Sequence, residues 1–296
     1  MNKLRIFFIS VTLLLFVFTL PLCAKDLPWN MPLPFKKATI HYAVTGNETG
    51  SETLFIKNNG QQRATHHDTT MSMMGMTTKT NTIEIVTPDW VTTYDLEERT
   101  GNKTTNPAKI FSTEYNKLSK EEKRNVEKNA EELGASLMSM GGTSRPNAKE
   151  ILGHACDLTE IAGITKVYTI HATDIMLRSE TSVMGMSTTI TATSFDTSSA
   201  IPDTAFKGPK EIVITHDQEA EAMMTSMIHS IMDKLKQPDG AQQLKNAPLS
   251  PYPAGMGVPA QQQVPTTNQQ GNQPGQEEMM QEVEQGLKMI KGLFGE

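Results

Sequence analysis

Residues 69–78 read TTMSMMGMTT and follow the pair His66 and His67. Thioether and imidazole groups are ligands that Cu(I) prefers, so one hypothesis is a copper site built from His66, His67, Met71 and Met73. No cysteine supports such a site, and one loop does not fix four ligands. Two alternatives remain open: an adaptable apolar mouth for a lipid, or packing by flexible methionine side chains.

A second stretch resembles the first. MMGMTTKT (73–80) and VMGMSTTI (183–190) each place Met-Gly-Met between a polar strand and a threonine-rich strand. Glycine permits the positive φ of a tight turn, so both triplets are predicted to lie at hairpin tips. If the two tips converge, four thioethers would line a common opening: Met74, Met76, Met184 and Met186.

The other reactive residues form no catalytic pattern. Cys156 lies in ILGHACDLTEI between alternating apolar residues, which predicts a buried core residue and not a nucleophile. The chain contains no HExxH, P-loop, GxSxG, dinucleotide or zinc-ribbon motif. With a net charge of −6 and scattered cations, it has no basic surface for nucleic acid. We therefore expect no enzyme activity, no cofactor and no nucleic-acid partner.

The first residues have the composition of an export signal. Two cations in MNKLR precede the apolar run IFFISVTLLLFVFTLPL and the small residue Ala24. We expect 1–24 to be a cleaved signal peptide and the protein to be periplasmic or secreted, with an uncleaved anchor as the alternative. Lipidation of Cys23 is less favoured, because Leu20-Pro21-Leu22 puts a bulky leucine where a lipoprotein signal normally has a small residue.

Short segments that alternate with period two, separated by turn residues, predict an antiparallel sheet. Five predicted strands precede a helical segment and five follow it, which favours one α+β domain over two independent ones. The predicted strands are 38–45, 52–58, 61–68, 80–87, 90–97, 149–161, 164–172, 173–181, 188–196 and 210–215.

Two amphipathic helices are predicted, at 119–140 and 218–236. Ser119 and Glu122 form a capping box at the start of the first helix. Its apolar stripe must pack on another apolar surface, and one face of the sheet is available. This stripe consists of Val126, Ala130, Leu133, Leu137 and Met140.

The predicted domain spans 25–236 and is a curved antiparallel sheet, an open half-barrel, covered by one or two amphipathic helices. Residues 237–276 are rich in Gln, Pro and Gly and are predicted to form a disordered linker. The tail 277–296 regains a helical stripe over 277–294. A docking helix for a protein partner or for its own domain is the favoured interpretation, and its few cations and many glutamates disfavour a membrane surface.

The order of these segments resembles an uncharacterised bacterial periplasmic family. The phrases that carry the resemblance are KNNGQQRATHHD, IVTPDWVTTYDLEERTG, KEILGHACDLTEI and IPDTAF, within about 35–215. That family has a fold similar to the lipoprotein carriers LolA and LolB. The resemblance implies a half-open antiparallel barrel with a helical lid over an apolar cavity. The arginine of LolA-type carriers has no match here.

The favoured hypothesis is a non-catalytic binding protein for a lipid, an acyl chain or a lipidated protein, held between the sheet and the helical lid. One alternative is a periplasmic copper-binding protein, and another is an envelope interaction module that acts through its tail helix. The predicted ligand-binding residues are Met74, Met76, Met184, Met186, Leu133, Leu137 and Met140.

Overall fold

The computed structural model describes residues 33–73, 76–139, 143–161, 163–183 and 185–246. The predicted signal peptide, Cys23, the tail and most of the predicted linker lie outside these residues. The twelve described strands are β1 (Ala38–Gly46), β2 (Glu48–Lys57), β3 (Gln62–Met73), β4 (Met76–Val86), β5 (Trp90–Asp95), β6 (Thr100–Thr105), β7 (Thr143–Ile151), β8 (His154–Ile161), β9 (Thr165–Ile170), β10 (Met176–Val183), β11 (Met186–Asp196) and β12 (Ile214–His216). The four described α-helices are α1 (Pro107–Lys117), α2 (Lys120–Ser139), α3 (Gln218–Leu235) and α4 (Gly240–Asn246).

All twelve strands belong to one sheet, in the order β12-β6-β5-β4-β3-β2-β1-β11-β10-β9-β8-β7. Every neighbouring pair is antiparallel except β12 and β6, which are parallel. The order begins and ends on different strands, so the sheet is open. The predicted fold class, α+β with an open curved antiparallel sheet, is therefore confirmed.

One ion pair shows how strongly the sheet curves. The guanidinium of Arg63 on β3 contacts the carboxylate of Asp174, between β9 and β10, at 2.8 Å. In a flat sheet, β3 and β10 would lie four strand spacings apart, or about 19 Å. The Tyr42 hydroxyl also donates to the carbonyl of Met176 at 2.8 Å. The face that carries Tyr42 and Arg63 is therefore concave, and we call it the inner face.

Replacing Asp174 with alanine is expected to lower the free energy of unfolding by about 2–3 kcal/mol, because Arg63 would be left buried without a counter-charge. The side chain of Arg63 is 2% exposed and that of Asp174 is 37% exposed, so water weakens the pair from one side. The measurement is urea unfolding of the two proteins. Asp203→Ala is the matched control, because Asp203 pairs with Lys57 but is 85% exposed. Equal losses in both variants would show that the Arg63–Asp174 pair is not a buried contact across the concave face.

The two predicted helices are present, and the predicted capping box is confirmed. The backbone N–H of Ser119 donates to the Glu122 carboxylate at 2.8 Å, and the Glu122 N–H donates to the Ser119 hydroxyl at 3.3 Å. The expectation that the α2 stripe packs on the sheet is wrong for Val126 and Leu133, whereas the side chains of Leu137 and Met140 lie outside the described residues. Val126 and Leu133 belong to a cluster whose members all come from the four helices or the α1–α2 turn, and Asn129 donates to the carbonyl of Leu235 at the end of α3. Amphipathic helices can bury their stripes against one another, and these do.

Helices α1 and α4 were not predicted. Helix α1 starts where Asn106 accepts a hydrogen bond from Ala108 N, followed by proline at the first helical position. Helix α4 lies inside the segment predicted as linker, and its Ala241 and Leu244 are buried in the helix cluster. The ordered part of the chain therefore extends to at least residue 246, ten residues beyond the predicted boundary.

The outer face of β2 to β5 is also covered. The connection between β11 and β12 crosses it, with Ile212 buried among Ile83, Ile85 and Tyr94. Gly208 lies so close to the ring of Tyr94 that a Cβ there would overlap the ring. This part of the sheet is therefore buried on both faces, and polar residues between the isoleucines of β4 must point inward.

Candidate ligand site

The hairpins β1–β2, β3–β4 and β10–β11 all turn at the same end of the sheet, which we call the hairpin end. Asn47 lies at the middle turn. Its Oδ1 accepts from Ser187 N at 2.7 Å, its N–H donates to Ser187 O, and its carbonyl accepts from Ser72 N. The two Met-Gly-Met hairpins are thus not neighbours, since β3 and β11 lie three strand spacings apart, or about 14 Å. The middle hairpin ties them together.

The methionines at these tips share one face. On β3, residues 63, 65, 67, 69 and 71 alternate onto the inner face, and the backbone of Met76 pairs with that of Met73. On the other hairpin, Met186 pairs with Val183 on the same side as Ile190, which lies in the inner core. Met76, Val183 and Met186 are 64%, 41% and 38% exposed. We call these three residues the apolar rim.

The other predicted ligand residues fall elsewhere. Met74, Met184 and Met140 lie outside the described residues, and so does the side chain of Leu137. Leu133 is buried in the helix cluster and not among the methionines. The described part of the predicted site therefore reduces to Met76 and Met186, which stand on the inner side of the hairpin end.

The copper set is not brought together. Adjacent residues of a strand point to opposite faces, so His66 and His67 diverge. His66 Nε2 lies 3.0 Å from the carbonyl oxygen of Ala205 on the outer face. His67 lies on the inner face with Met71 and the backbone position of Met73. Within the described ranges, no group of three or more His, Cys, Asp or Glu side chains could hold a metal ion.

His67 joins two glutamates in a buried cluster below the rim. Its Nδ1 lies 3.1 Å from Glu52 Oε2, and its Nε2 lies 3.2 Å from Glu48 Oε1. The Thr69 hydroxyl donates to the same Glu48 oxygen at 2.5 Å. Both ring nitrogens face carboxylate oxygens, so a charged imidazolium that donates from both nitrogens satisfies this arrangement.

The charged groups of this cluster shift one another's pKa values. Burial alone would lower the pKa of His67, but hydrogen bonds and charge from Glu48 and Glu52 outweigh it and raise the pKa to about 9. Burial likewise favours a raised pKa for Glu48, yet the bonds from His67 and Thr69 lower it. Burial dominates at Glu52, whose pKa is raised. The two glutamates differ because Glu52 is fully enclosed whereas Glu48 is near the rim and retains some exposure.

Glu84 on β4 is the least compensated charge of the inner face. It is 5% exposed, and its Oε2 has no hydrogen-bond partner among the described residues. Burial, with a smaller contribution from the charge of Glu52, raises its pKa to about 7. Neither the alternation of β4 nor the composition singled out Glu84, because a glutamate between isoleucines normally indicates a solvated position.

Cys156 is fully buried in the inner core, and burial raises the pKa of its thiol. The prediction of a buried core residue is confirmed. Its Sγ contacts the carbonyl of His154 at 3.4 Å, and the ring of His154 packs on Phe195 instead of approaching the thiol as a base.

Among the described helices, none is long and apolar enough to span a bilayer.

Comparison with protein families and with curated proteins finds no match for this chain. Among solved structures, an uncharacterised conserved protein from Thermus thermophilus is similar, with 8% identity, coverage of 70% of this chain and 99% of that one, and a TM-score of 0.37. LprF from Mycobacterium bovis is similar at 11% identity, covering 57% and 90%, with a TM-score of 0.26. PNGF-II is similar at 11% identity, covering 64% of this chain and 32% of that one, with a TM-score of 0.29.

These TM-scores and identities establish neither a common family nor a common function. The architecture implied by the resemblance to lipoprotein carriers, an open curved antiparallel sheet with helices, is present in this chain. Membership of that family stays a prediction.

Proposed function

We propose that this chain is an exported, non-catalytic binding protein for a hydrophobic ligand, such as a lipid, an acyl chain or a lipidated protein. The ligand enters at the hairpin end and lies on the inner face of the sheet. The observation that carries the proposal is the apolar rim: Met76, Val183 and Met186 are exposed, and all three stand on the inner side of one end of the sheet.

The composition around the rim supports an apolar ligand. Residues 69–80 and 181–190, which form the ends of the two hairpins, contain a single charged residue, Lys79. Lys79 lies 2.9 Å from a Glu97 carboxylate oxygen and 3.9 Å from one of Asp68. Depletion of charge and enrichment in methionine are typical of surfaces that bind apolar partners. Methionine side chains can also adapt to more than one ligand shape.

The inner face below the rim is lined by apolar side chains that are buried in the core, so a ligand that enters there would replace contacts that these side chains now make with one another. Ile40, Val44, Leu54 and Ile190 lie on it beside one another, from β2 across to β11. Because Val126 and Leu133 of the α2 stripe are buried against other helices, the proposed site is the inner face itself and not a space beneath these residues of α2. Exposure rises from Glu52 at 1% to Met76 at 64%, so the hairpin end is the open side.

The test is direct binding of the fluorescent apolar probe N-phenyl-1-naphthylamine to the full chain. Replacing both Met76 and Met186 with glutamine keeps side-chain volume and exposure but adds polar groups. We expect this double variant to bind the probe about fivefold more weakly or worse, because two methionines no longer lose apolar surface to water on binding. The control is Met223→Gln, since Met223 on α3 is as exposed as Met186 at 38%.

The control variant is expected to bind the probe like the wild type. Native mass spectrometry of protein purified from its own host should also show a lipid-sized adduct. A protein that neither binds the probe nor carries an adduct would overturn the proposed function. Equal weakening by Met223→Gln would overturn the assignment of the hairpin end.

A further inference from the structure

Two carboxylates on the inner face each keep one oxygen without a hydrogen-bond partner in the described chain. These oxygens are Oε1 of Glu52 and Oε2 of Glu84, and both atoms are buried. The residues are 1% and 5% exposed. A buried polar atom without a partner costs free energy, and native proteins retain few of them. A pair on one face therefore indicates a group that the chain itself does not supply.

The strand register places both carboxylates over the same part of the sheet. Glu52 on β2 pairs with His67 on β3, and Glu84 on β4 pairs with Thr65, two residues away on β3. Only β3 separates the two glutamates, and both point inward. The charge of Glu52 is close enough to raise the pKa of Glu84.

The two cations of the inner face make their described hydrogen bonds to other groups, although Nη1 of Arg63 is also buried without a partner among the described residues. His67 uses its two nitrogens on Glu48 and on Oε2 of Glu52, which leaves Oε1 of Glu52 free. Arg63 directs Nη2 to both oxygens of Asp174 and Nε to the carbonyl of Gly60. No described cation pairs with Glu84.

We propose that Glu84 and the free oxygen of Glu52 bind the ammonium group of a primary amine whose apolar chain lies along the inner face. This deepens the proposed function and rests on it. An ammonium brings three N–H donors and a positive charge, and the two orphan oxygens supply acceptors and negative charge. A bound metal ion fits less well, because no group of three or more described His, Cys, Asp or Glu side chains is arranged to hold one.

The ligand would therefore be an amphiphile with its head group below the rim and its chain on the apolar part of the same face. Leu54 lies beside Glu52 on β2, two residues along the strand, and Val44 and Ile190 lie on the neighbouring strands. The apolar and acidic parts of the face are thus continuous, and because these apolar side chains are buried, the ligand's chain would take the place of contacts within the core.

The experiment compares three amphiphiles with the same chain length at pH 7: dodecylamine, dodecanol and dodecanoate. Binding to the full chain is measured by isothermal titration calorimetry below the micelle concentrations. We expect dodecylamine to bind about tenfold or more tightly than dodecanol, as a charge-assisted hydrogen bond predicts, and dodecanoate to bind most weakly. Glu84→Gln should remove this tenfold preference, so that dodecylamine and dodecanol bind with similar affinity.

Glu150→Gln is the matched control, because Glu150 is an exposed carboxylate on β7, and it should preserve the preference for the amine. Equal binding of amine and alcohol by the wild type would overturn the ammonium site while leaving the proposed function in place. A preference that survives in both Glu84→Gln and Glu52→Gln would also overturn it. Failure of all three amphiphiles to bind would overturn the proposed function itself.

Discussion

Replacing His67 with glutamine is expected to lower the free energy of unfolding at pH 7 by about 3–5 kcal/mol. The imidazolium is the only described cation that pairs with Glu48 and Glu52, at 3.2 Å and 3.1 Å. Glutamine can donate a hydrogen bond but carries no charge, so two buried carboxylates would lose their counter-charge. Urea unfolding followed by circular dichroism measures the loss.

His171→Gln is the matched control for this variant. His171 pairs with Asp157 at 2.8 Å, but its side chain is 52% exposed, so water replaces most of what the substitution removes. We expect a loss of at most about 1 kcal/mol there. Similar losses at the two histidines would show that the inner cluster is not a buried ion network.

The pH dependence of the His67 variant has a defined sign. The pKa of His67 rises from 6.5 to about 9 on folding, so the folded protein holds this proton where the unfolded chain releases it. The stabilisation is fully present below pH 6.5 and is lost as pH rises through 9. The difference in stability between wild type and His67→Gln should therefore shrink across this window. A constant difference would mean that His67 is neutral in the folded protein.

Replacing Glu84 with glutamine is expected to have the opposite effect and stabilise the protein by about 1–3 kcal/mol at pH 8. The pKa of this carboxyl rises from 4.5 to about 7 on folding, because the ionised form is buried without a partner. Between these values the folded state binds more protons than the unfolded state, so stability falls as pH rises toward 7. Above pH 7 the full cost of the buried charge is present.

Thermal or urea unfolding from pH 4.5 to 8 tests this prediction. The wild type and Glu84→Gln should have similar stability near pH 4.5, and their curves should separate until about pH 7. Glu150→Gln, at an exposed position, should follow the wild type throughout. A Glu84→Gln protein that is less stable than wild type at pH 8 would show that the ionised carboxylate has a partner in solution.

If both substitutions behave as expected, the unpaired Glu84 destabilises the ligand-free protein at neutral pH, whereas the His67 ion pairs stabilise it. Such a cost is common at binding sites, where groups needed for a ligand are imperfectly paired without it. The two variants also act in different pH windows, so their effects can be separated in one series of measurements.

Most strands were predictable because period-two alternation survives wherever one face is buried more than the other. The segment 149–161 was predicted as one strand but forms β7 and β8, joined at Leu152 and Gly153. Both turn residues have positive φ, 51° and 79°. A leucine gives no signal for that conformation, so the turn could not be placed from composition.

Strand β6 was missed for a different reason. Its sequence TGNKTT resembles a loop, because it carries no aliphatic residue. It becomes a strand by pairing with β5 on one side and β12 on the other. Backbone pairing with neighbours can override weak local preference, and such pairing is not visible in a local window.

The position of Glu52 and Glu84 on the same face could not be predicted from the sequence either. Alternation in β4 separates Ile83 and Ile85 from Glu84, but it does not say which side faces the concave space. The isoleucines face outward because the connection between β11 and β12 covers them. Glu84 therefore faces inward, toward a carboxylate that lies 32 residues earlier in the chain.

By itself, the sequence determined the elements with local causes: alternating strands, the capped helix α2, the turn at Gly185 and a buried Cys156. These follow from side-chain period, capping chemistry and glycine geometry, which act over a few residues. Only the tertiary structure decided which faces meet. It buried Val126 and Leu133 of α2 against helices, placed Met76 and Met186 on one side of the hairpin end, and turned His67 toward Glu48 and Glu52 on the concave face. Those outcomes depend on sheet order and curvature, which arise from contacts between residues far apart in the chain.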